Sequence, residues 1–200
     1  MLKELAQFLV DQIFEFGYPG IFILMAIESS FIPFPSEIVL VPAGYLASQE
    51  KMSIWLIAIN AIGGSMVGAL INYYLAYFVG RKFLQKFGKY FFIAEKTLHK
   101  MDVFFEKHGS VSTFTGRLIP AVRQLISIPA GLAHMNIVKF SIFTALGAGL
   151  WAMVLILLGY FIGENQELIN QYLKQITFTI IILVIMFSII YYKIKIKKAS

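Results

Sequence analysis

The segments FIPFPSEIVLVPAG (31–44) and LIPAVRQLISIPAG (118–131) are built alike, and together they predict the fold. Both have fourteen residues, with Ile-Pro at the second and third positions and Pro-Ala-Gly at the end. Each is followed by a long uncharged stretch that ends in YFVG (77–80) or YFIG (160–163). The matched prolines, glycines and downstream spacing indicate a duplicated structural unit.

The composition is that of an integral membrane protein. Of the 200 residues, 58% are hydrophobic and 14% are charged, and the mean hydropathy is +0.76. Residues 53–80 and 140–163 carry no charge and exceed the roughly 20 residues needed to cross a bilayer. A third stretch, uncharged over 175–192, predicts a C-terminal transmembrane helix over 172–192. There is no cysteine, which excludes disulfides and thiolate metal sites.

The placement of charge predicts the orientation of the spans. Lysines and arginines are frequent between the first two spans, and the tail KIKIKK (193–198) follows the last one. Basic segments stay in the cytoplasm, so the C-terminus is expected there. The segment ENQELINQ (164–171) is acidic without Lys or Arg and is expected outside. The net charge of +6 therefore reflects topology, and no nucleic-acid partner is predicted.

Two apolar segments, 18–27 and 38–48, are each too short to cross a bilayer alone. Between them lie Pro33 and Pro35, and proline breaks a helix because it lacks an amide donor. This pattern predicts a re-entrant helical hairpin over 18–48 with the prolines and Ser36 at its tip. A single kinked spanning helix is the alternative, and the two glutamates inside the segment count against it.

The matching segment predicts a second re-entrant hairpin over 110–135, with Gly116 and Pro120 at its tip. The spans that follow the two hairpins run in opposite directions, which makes an inverted repeat, a design typical of transporters. The expected fold is a single all-α polytopic membrane domain over residues 1–200. Its parts are a first repeat (1–80) that includes an interfacial N-terminal helix (1–16), a cytoplasmic amphipathic segment (81–109), a second repeat (110–163) and the C-terminal transmembrane helix.

Four charged side chains lie in the predicted hairpins, namely Glu28 and Glu37 in the first and Arg117 and Arg123 in the second. An arginine at the centre of a membrane helix costs roughly 2.5–3.5 kcal/mol, so these groups must be paired, hydrated or functional. Buried Glu–Arg pairs that lock the hairpins together, or arginines that reach the interface, are the structural alternatives.

The arginines favour a phosphate ligand. A guanidinium group binds phosphate through a planar fork, whereas lysine is a point charge, and this chain uses lysine almost everywhere else. The second arm of each hairpin is expected to begin near Ser36 or Ala121, where helix amides attract anions. The glutamates are candidate proton carriers, because a partly hydrated apolar cavity favours their protonated form.

The hairpins resemble the DedA family of bacterial membrane proteins, related to eukaryotic proteins with the VTT domain. The matching motifs are ESSFIPFPSE (28–37) and FTGRLIPAVRQLISIPAG (114–131), the second with its phenylalanine shifted by one position. The resemblance covers roughly residues 10–165. It implies two essential acids, here Glu28 and Glu37, and two essential arginines, here Arg117 and Arg123. The second acid is often aspartate in the family.

The resemblance implies a lipid transporter of the bacterial plasma membrane, driven by the proton motive force. We expect a flippase, not an enzyme, that returns undecaprenyl phosphate to the cytoplasmic leaflet for cell-wall synthesis, without metal or cofactor. Arg117 and Arg123 would bind the phosphate, and Glu28 and Glu37 would couple protons. The alternatives are transport of phosphatidylethanolamine or another phospholipid, a proton-coupled small-ion transporter, and a membrane lipid phosphatase. A homo-oligomer is compatible with these features.

Overall fold

The computed structural model describes residues 2–30, 35–80, 95–120, 122–162 and 166–197. These residues form α-helices joined by turns, and none of them lies in a β-strand. Pro33, Ala121 and most of the first half of the predicted cytoplasmic segment lie outside the described ranges. The helices are α1 (Leu2–Glu28), α2 (Glu37–Ser48), α3 (Ile54–Leu75), α4 (Glu95–Leu118), α5 (Ser127–Leu132), α6 (Ile137–Ile162) and α7 (Gln166–Lys197).

Three helices are long and apolar enough to cross a membrane. They cover Ile54–Gly80, Ile137–Ile162 and Gln171–Tyr191, and the first consists of α3 and the π-helical turn Ala76–Gly80. The sequence predicted these three spans, and the all-helical membrane fold is confirmed. The first two spans pack against each other inside the bundle, whereas the third lies at its periphery and buries little surface.

Helix α1 is two helices joined by a kink at Gly17. Gly17 has φ 58° and ψ −136°, which is a conformation that glycine adopts without a steric penalty. Pro19 follows in the first turn of the second part, where proline is tolerated because the amides of a first turn have no partner within the helix. The kink therefore divides α1 at the boundary that the sequence predicted between the N-terminal helix and the first hairpin arm.

Glycines let α3 lie directly against α1. A Cβ atom at Gly64 would collide with the carbonyl oxygen of Phe22, and one at Gly68 would collide with that of Ala26. The GxxxG spacing of these two glycines places them on one face of the helix. This motif therefore provides close packing within the chain.

The chain is interrupted between α1 and α2 and again between α4 and α5. We call the described residues that flank these two breaks the first tip (28–30 and 35–37) and the second tip (116–127, except 121). Helix α2 begins after Ser36, as predicted, but the second tip differs from the prediction. The chain there makes overlapping turns from Ile119, and the helix α5 begins at Ser127 instead of near Ala121. Proline is not the reason for this later start, because Pro42 at the equivalent position lies inside α2. The carbonyl oxygen of Gln124 instead accepts from the side chain of Asn72 and the amide of Ile128 donates to Leu125, so the regular helical hydrogen-bond pattern begins only after these residues.

The described residues form two hydrophobic clusters. One is built from α1, α2, α3 and α6, and it includes Ile21, Leu40, Ile57 and Leu155. The other is built around Tyr73, Phe105 and Phe140. The side chains of Glu28, Arg117 and Arg123 are buried in the bundle, where electrostatic interactions are stronger than in water.

Candidate functional site

An ion pair joins the end of α1 to the segment between α4 and α5. Nη2 of Arg123 lies 2.7 Å from Oε1 of Glu28, and both side chains are buried. The same Nη2 donates a hydrogen bond of 2.8 Å to Oγ of Ser36, while Oγ of Ser29 donates one of 2.8 Å to Oε2 of Glu28. An arginine from the second tip is therefore held by an acid and a hydroxyl from the first.

Trp151 of α6 also positions this arginine. Its ring centroid lies 5.3 Å from Cζ of Arg123, which is within the range of a cation–π interaction. Its Nε1–H group donates to Oγ of Ser36 at 3.3 Å. Trp151 thus contacts the guanidinium group directly and also orients the hydroxyl that binds it.

Arg117 is the second buried cation. It is 3% exposed, and its Nη2 donates a hydrogen bond of 2.9 Å to Oγ of Ser127 at the start of α5. Its aliphatic stem lies against α6 at Gly147, where a Cβ atom would come within 2.6 Å of Cβ of Arg117. No carboxylate among the described residues forms an ion pair with this arginine.

Glu37 differs from Glu28. It is half-buried in the first turn of α2, where the helix dipole favours an anion. Within the described part of the chain it forms no ion pair or side-chain hydrogen bond. In the described structure, the side chains of Glu28, Arg117 and Arg123 therefore each bond to another side chain. The side chain of Glu37 does not.

The remaining predicted tip residues have different surroundings. Pro35 is exposed and Pro120 is half-buried. Gly116 is buried in α4, where a Cβ atom would come within 2.8 Å of the Ile126 side chain, so its role is close packing of the second tip. Pro33 lies outside the described residues.

Asn72 of α3 ties the two tips together. It is 1% exposed, and its Nδ2 donates to the carbonyl oxygens of Ser29 at 3.1 Å and Gln124 at 3.4 Å. These residues follow Glu28 and Arg123 in the sequence, so Asn72 lies at the same level of the bundle as the ion pair.

The cluster is electropositive and has unused hydrogen-bonding capacity. Two guanidinium groups and one paired carboxylate leave one net positive charge. Nε of Arg117 and Nε of Arg123 are buried without a hydrogen-bond partner in the described structure, as is Oγ1 of Thr144. Thr144 lies one turn before Gly147, on the face of α6 that meets Arg117. Unpaired buried donors are costly, and an anion with several acceptor oxygens would satisfy them.

The described residues contain no group of three or more His, Asp or Glu side chains arranged to hold a metal ion. The guanidinium and hydroxyl groups at the tips can donate hydrogen bonds, so they suit an oxyanion better than a cation.

The VTT domain family matches this chain over residues 34–161, a range that includes Ser36, Arg117 and Arg123 but not Glu28. The chain belongs to the DedA family. Undecaprenyl phosphate transporter A of Staphylococcus aureus is 34% identical over 92% of this chain and 95% of its own length. The protein of the same name from Bacillus subtilis is 35% identical over 90% and 88%.

Another DedA-family relative has a different name. A protein of Lactococcus lactis named alkaline phosphatase-like is 34% identical over 92% of this chain and 88% of its own length. No solved structure matches the chain.

Sequence reasoning missed three members of the cluster in this DedA protein: Asn72, Ser127 and Trp151. A signal for two of them was present. Asn72 interrupts an uncharged span, where polar side chains are rare and find partners inside the bundle. Trp151 lies mid-span, although tryptophan in membrane proteins is enriched at the interfaces. Ser127 carried no comparable signal.

Proposed function

We propose that this protein carries undecaprenyl phosphate from the outer to the cytoplasmic leaflet of the bacterial membrane, which would return the lipid to cell-wall synthesis. The observation that carries the proposal is the buried cluster of Arg117, Arg123 and Glu28. It combines one net positive charge with unpaired guanidinium donors. The names of two similar relatives, both called undecaprenyl phosphate transporter A, support the same ligand.

A phosphate monoester suits this cluster chemically. Its oxygens are strong acceptors for guanidinium groups, and charge-assisted hydrogen bonds of this kind are short and strong. Arg117 and Arg123 would hold the phosphate between the tips, and the isoprenoid chain would stay in the surrounding lipid. Only the head group then needs shielding from hydrocarbon, so a small protein suffices.

Packing between the halves supports the predicted inverted repeat. Gly44 ends the first Pro-Ala-Gly and packs on the carbonyl of Ile156, whereas Gly131 ends the second and packs on that of Tyr73. Tyr73 and Ile156 each lie four residues before the tyrosine of YFVG or YFIG. The two contacts are thus equivalent, each joining one hairpin to the span of the other half. Ser36 and Arg123, which occupy equivalent motif positions, bind each other.

Such a repeat provides a route for alternating access. Each half has the same pair of packing contacts, so exchanging the conformations of the halves would open the cluster to the opposite side. The re-entrant hairpins would enter from opposite faces, the first from outside and the second from the cytoplasm. The basic tail places the C-terminus in the cytoplasm by the positive-inside rule.

We assign the two acids separate roles. Glu28 neutralises Arg123 and is buried in that pair, whereas Glu37 is half-buried and free of an ion pair in the described structure. Glu37 is therefore the better candidate for taking up and releasing a proton during transport. Glu28 would respond when phosphate displaces it from Arg123.

Phospholipid transport is the second candidate. Its supporting observation is Glu37, an unpaired carboxylate beside the phosphate-binding groups that would suit the ammonium group of phosphatidylethanolamine. The name of the Lactococcus relative raises a third candidate function, which is hydrolysis of a lipid phosphate. However, the two hydroxyls nearest the arginines, those of Ser36 and Ser127, accept bonds from guanidinium groups, and no histidine base contacts them in the described structure.

Proteoliposomes that contain labelled undecaprenyl phosphate test the proposal. The wild type should move the lipid between leaflets, and Arg117→Lys and Glu37→Gln should both slow it. Arg81→Lys makes the first exchange at the only other arginine, and Glu106→Gln makes the second at an exposed glutamate, so both controls should transport normally. Equal rates in all five proteins would refute the proposed site. Free phosphate in the medium would indicate hydrolysis, and phosphatidylethanolamine in parallel vesicles would identify the preferred lipid.

A further inference from the structure

Asn72 has one atom that the fold does not use. Both hydrogen bonds of its side chain come from Nδ2 and reach the carbonyl oxygens of Ser29 and Gln124. Because carbonyl oxygens can only accept, these two contacts fix which side-chain atom is nitrogen. Oδ1 is then left buried without a hydrogen-bond partner in the described structure.

The internal repeat indicates that packing does not require an amide at this position. Asn72 lies five residues before the tyrosine of YFVG, and Leu155 lies five residues before the tyrosine of YFIG. Leu155 is fully buried, and its side chain has the same number of heavy atoms as that of asparagine, branched at the same position. The equivalent position in the second span is therefore filled by an apolar side chain, so the polar group at Asn72 serves something other than close packing.

The unused atom differs in kind from its neighbours. The unpaired nitrogens at the arginines are donors, whereas Oδ1 of Asn72 is an acceptor. A ligand that offers only acceptor oxygens would satisfy the arginines and leave this oxygen unpaired. A ligand that also carries one hydrogen on an anionic head would satisfy both kinds of group.

We propose that Asn72 selects a phosphate head that keeps one hydroxyl hydrogen, which is the singly protonated phosphate monoester, over a sulfate ester or a phosphodiester. This selection rests on the proposed phosphate site and adds its substrate class. The P–OH group would donate to Oδ1 of Asn72 while the other oxygens accept from Arg117 and Arg123. Discrimination of this sort is strong, because a buried polar group that loses its partner is penalised.

Binding of phytanyl phosphate and phytanyl sulfate to the full-length protein in detergent tests this directly. The two esters share a chain, and at pH 5 both are mainly monoanions, because the second pKa of a phosphate ester is about 6. They then differ chiefly in the P–OH hydrogen. The wild type should bind the phosphate on the order of tenfold more tightly, the effect of about one hydrogen bond.

The matched variant is Asn72→Leu, which introduces the residue found in the other repeat. We expect the phosphate affinity to fall to about that of the sulfate, with the sulfate affinity changed much less. Equal losses for both esters would show that Asn72 only ties the tips together, and would overturn the inference. Arg123→Lys is the control, because it should weaken both esters alike.

The wild-type comparison needs no variant to fold. Similar affinities for the two esters in the wild type would overturn the role of Asn72 and leave the phosphate site standing. Failure to bind either ester would overturn the proposed function as well. Phosphatidylethanolamine is the third ligand, and if its binding alone depended on Asn72, the partner of Oδ1 would be an ammonium group and the P–OH assignment would be wrong.

Discussion

Glu28 at the end of α1 and Arg123 between α4 and α5 form an ion pair, with Oε1 and Nη2 2.7 Å apart and both side chains buried. Removing one member of a buried pair leaves the other charge uncompensated, which destabilises a protein by about 3–5 kcal/mol. We therefore expect Glu28→Gln to lower the free energy of unfolding by this order, measured by denaturation in detergent.

A double variant separates stability from function at this pair. Glu28→Gln combined with Arg123→Gln removes both charges and should recover much of the lost stability. It should nevertheless fail to bind lipid phosphate, because one of the two proposed ligands is gone. Phosphate binding by the double variant at the wild-type affinity would contradict the role of Arg123.

Trp151 is predicted to position Arg123 for the phosphate. Trp151→Phe keeps an aromatic face but loses the hydrogen bond to Ser36, and Trp151→Leu loses both contacts. We expect phosphate affinity to decrease in the order wild type, phenylalanine variant, leucine variant, with about tenfold between the extremes. The partial rescue by phenylalanine distinguishes positioning from mere filling of space, since loss of affinity to the same extent in both variants would indicate only lost packing.

Much of this fold could be predicted from the sequence because it depends on length and composition. Three uncharged stretches are long enough to cross a bilayer, and Ser36 follows the helix-breaking prolines at the point where α2 starts. The charged residues were identifiable because charge is costly in hydrocarbon. The free-energy cost of burying charge does not say which of the four side chains contact one another. In the described structure, Glu37 forms no ion pair.

The partners of those charges could not be read from the chain. Which arginine pairs with Glu28 depends on how α3 and α6 are rotated about their axes, and helices that are apolar on nearly every side carry no signal for rotation. The start of α5 was misplaced because the carbonyl oxygen of Gln124 accepts from the Asn72 side chain, a tertiary contact that the local sequence does not indicate. The roles of Asn72 and Trp151 depend on contacts between the two tips, so they can be identified only from the structure.

If the two halves form the proposed inverted repeat, alanine substitutions at two equivalent glycines should lower the free energy of unfolding by similar amounts. Gly44→Ala and Gly131→Ala would each drive a Cβ atom into a backbone carbonyl of the opposite span. Both should lose stability by amounts that agree within about 1 kcal/mol, in the range of 1–3 kcal/mol typical of overpacking. Gly63→Ala is the control, because its Cβ would meet only the side chain of Phe22, and a loss as large there would remove the argument.

Variants with one introduced cysteine test the proposed re-entrant hairpins, because the sequence contains no other cysteine that could react. Glu15→Cys and Glu50→Cys flank the first hairpin, and Lys107→Cys and Asn136→Cys flank the second. A membrane-impermeant thiol reagent added outside cells should label the first pair, and the second pair should react only after the membrane is opened. Labelling of the two members of one pair from opposite sides would mean that the segment between them crosses the membrane.

The central claim is that a lipid phosphate enters the buried arginine cluster, and a solid-state NMR distance tests it most directly. With guanidinium ¹⁵N-labelled arginine and ³¹P undecaprenyl phosphate in membranes, we predict dipolar contacts at about 4 Å, the distance implied by direct N–H···O–P hydrogen bonds. Arg117→Lys and Arg123→Lys should each remove part of the signal, and Arg81→Lys should remove none. Lipid that binds the protein without any ³¹P contact to Arg117 or Arg123 would contradict the account.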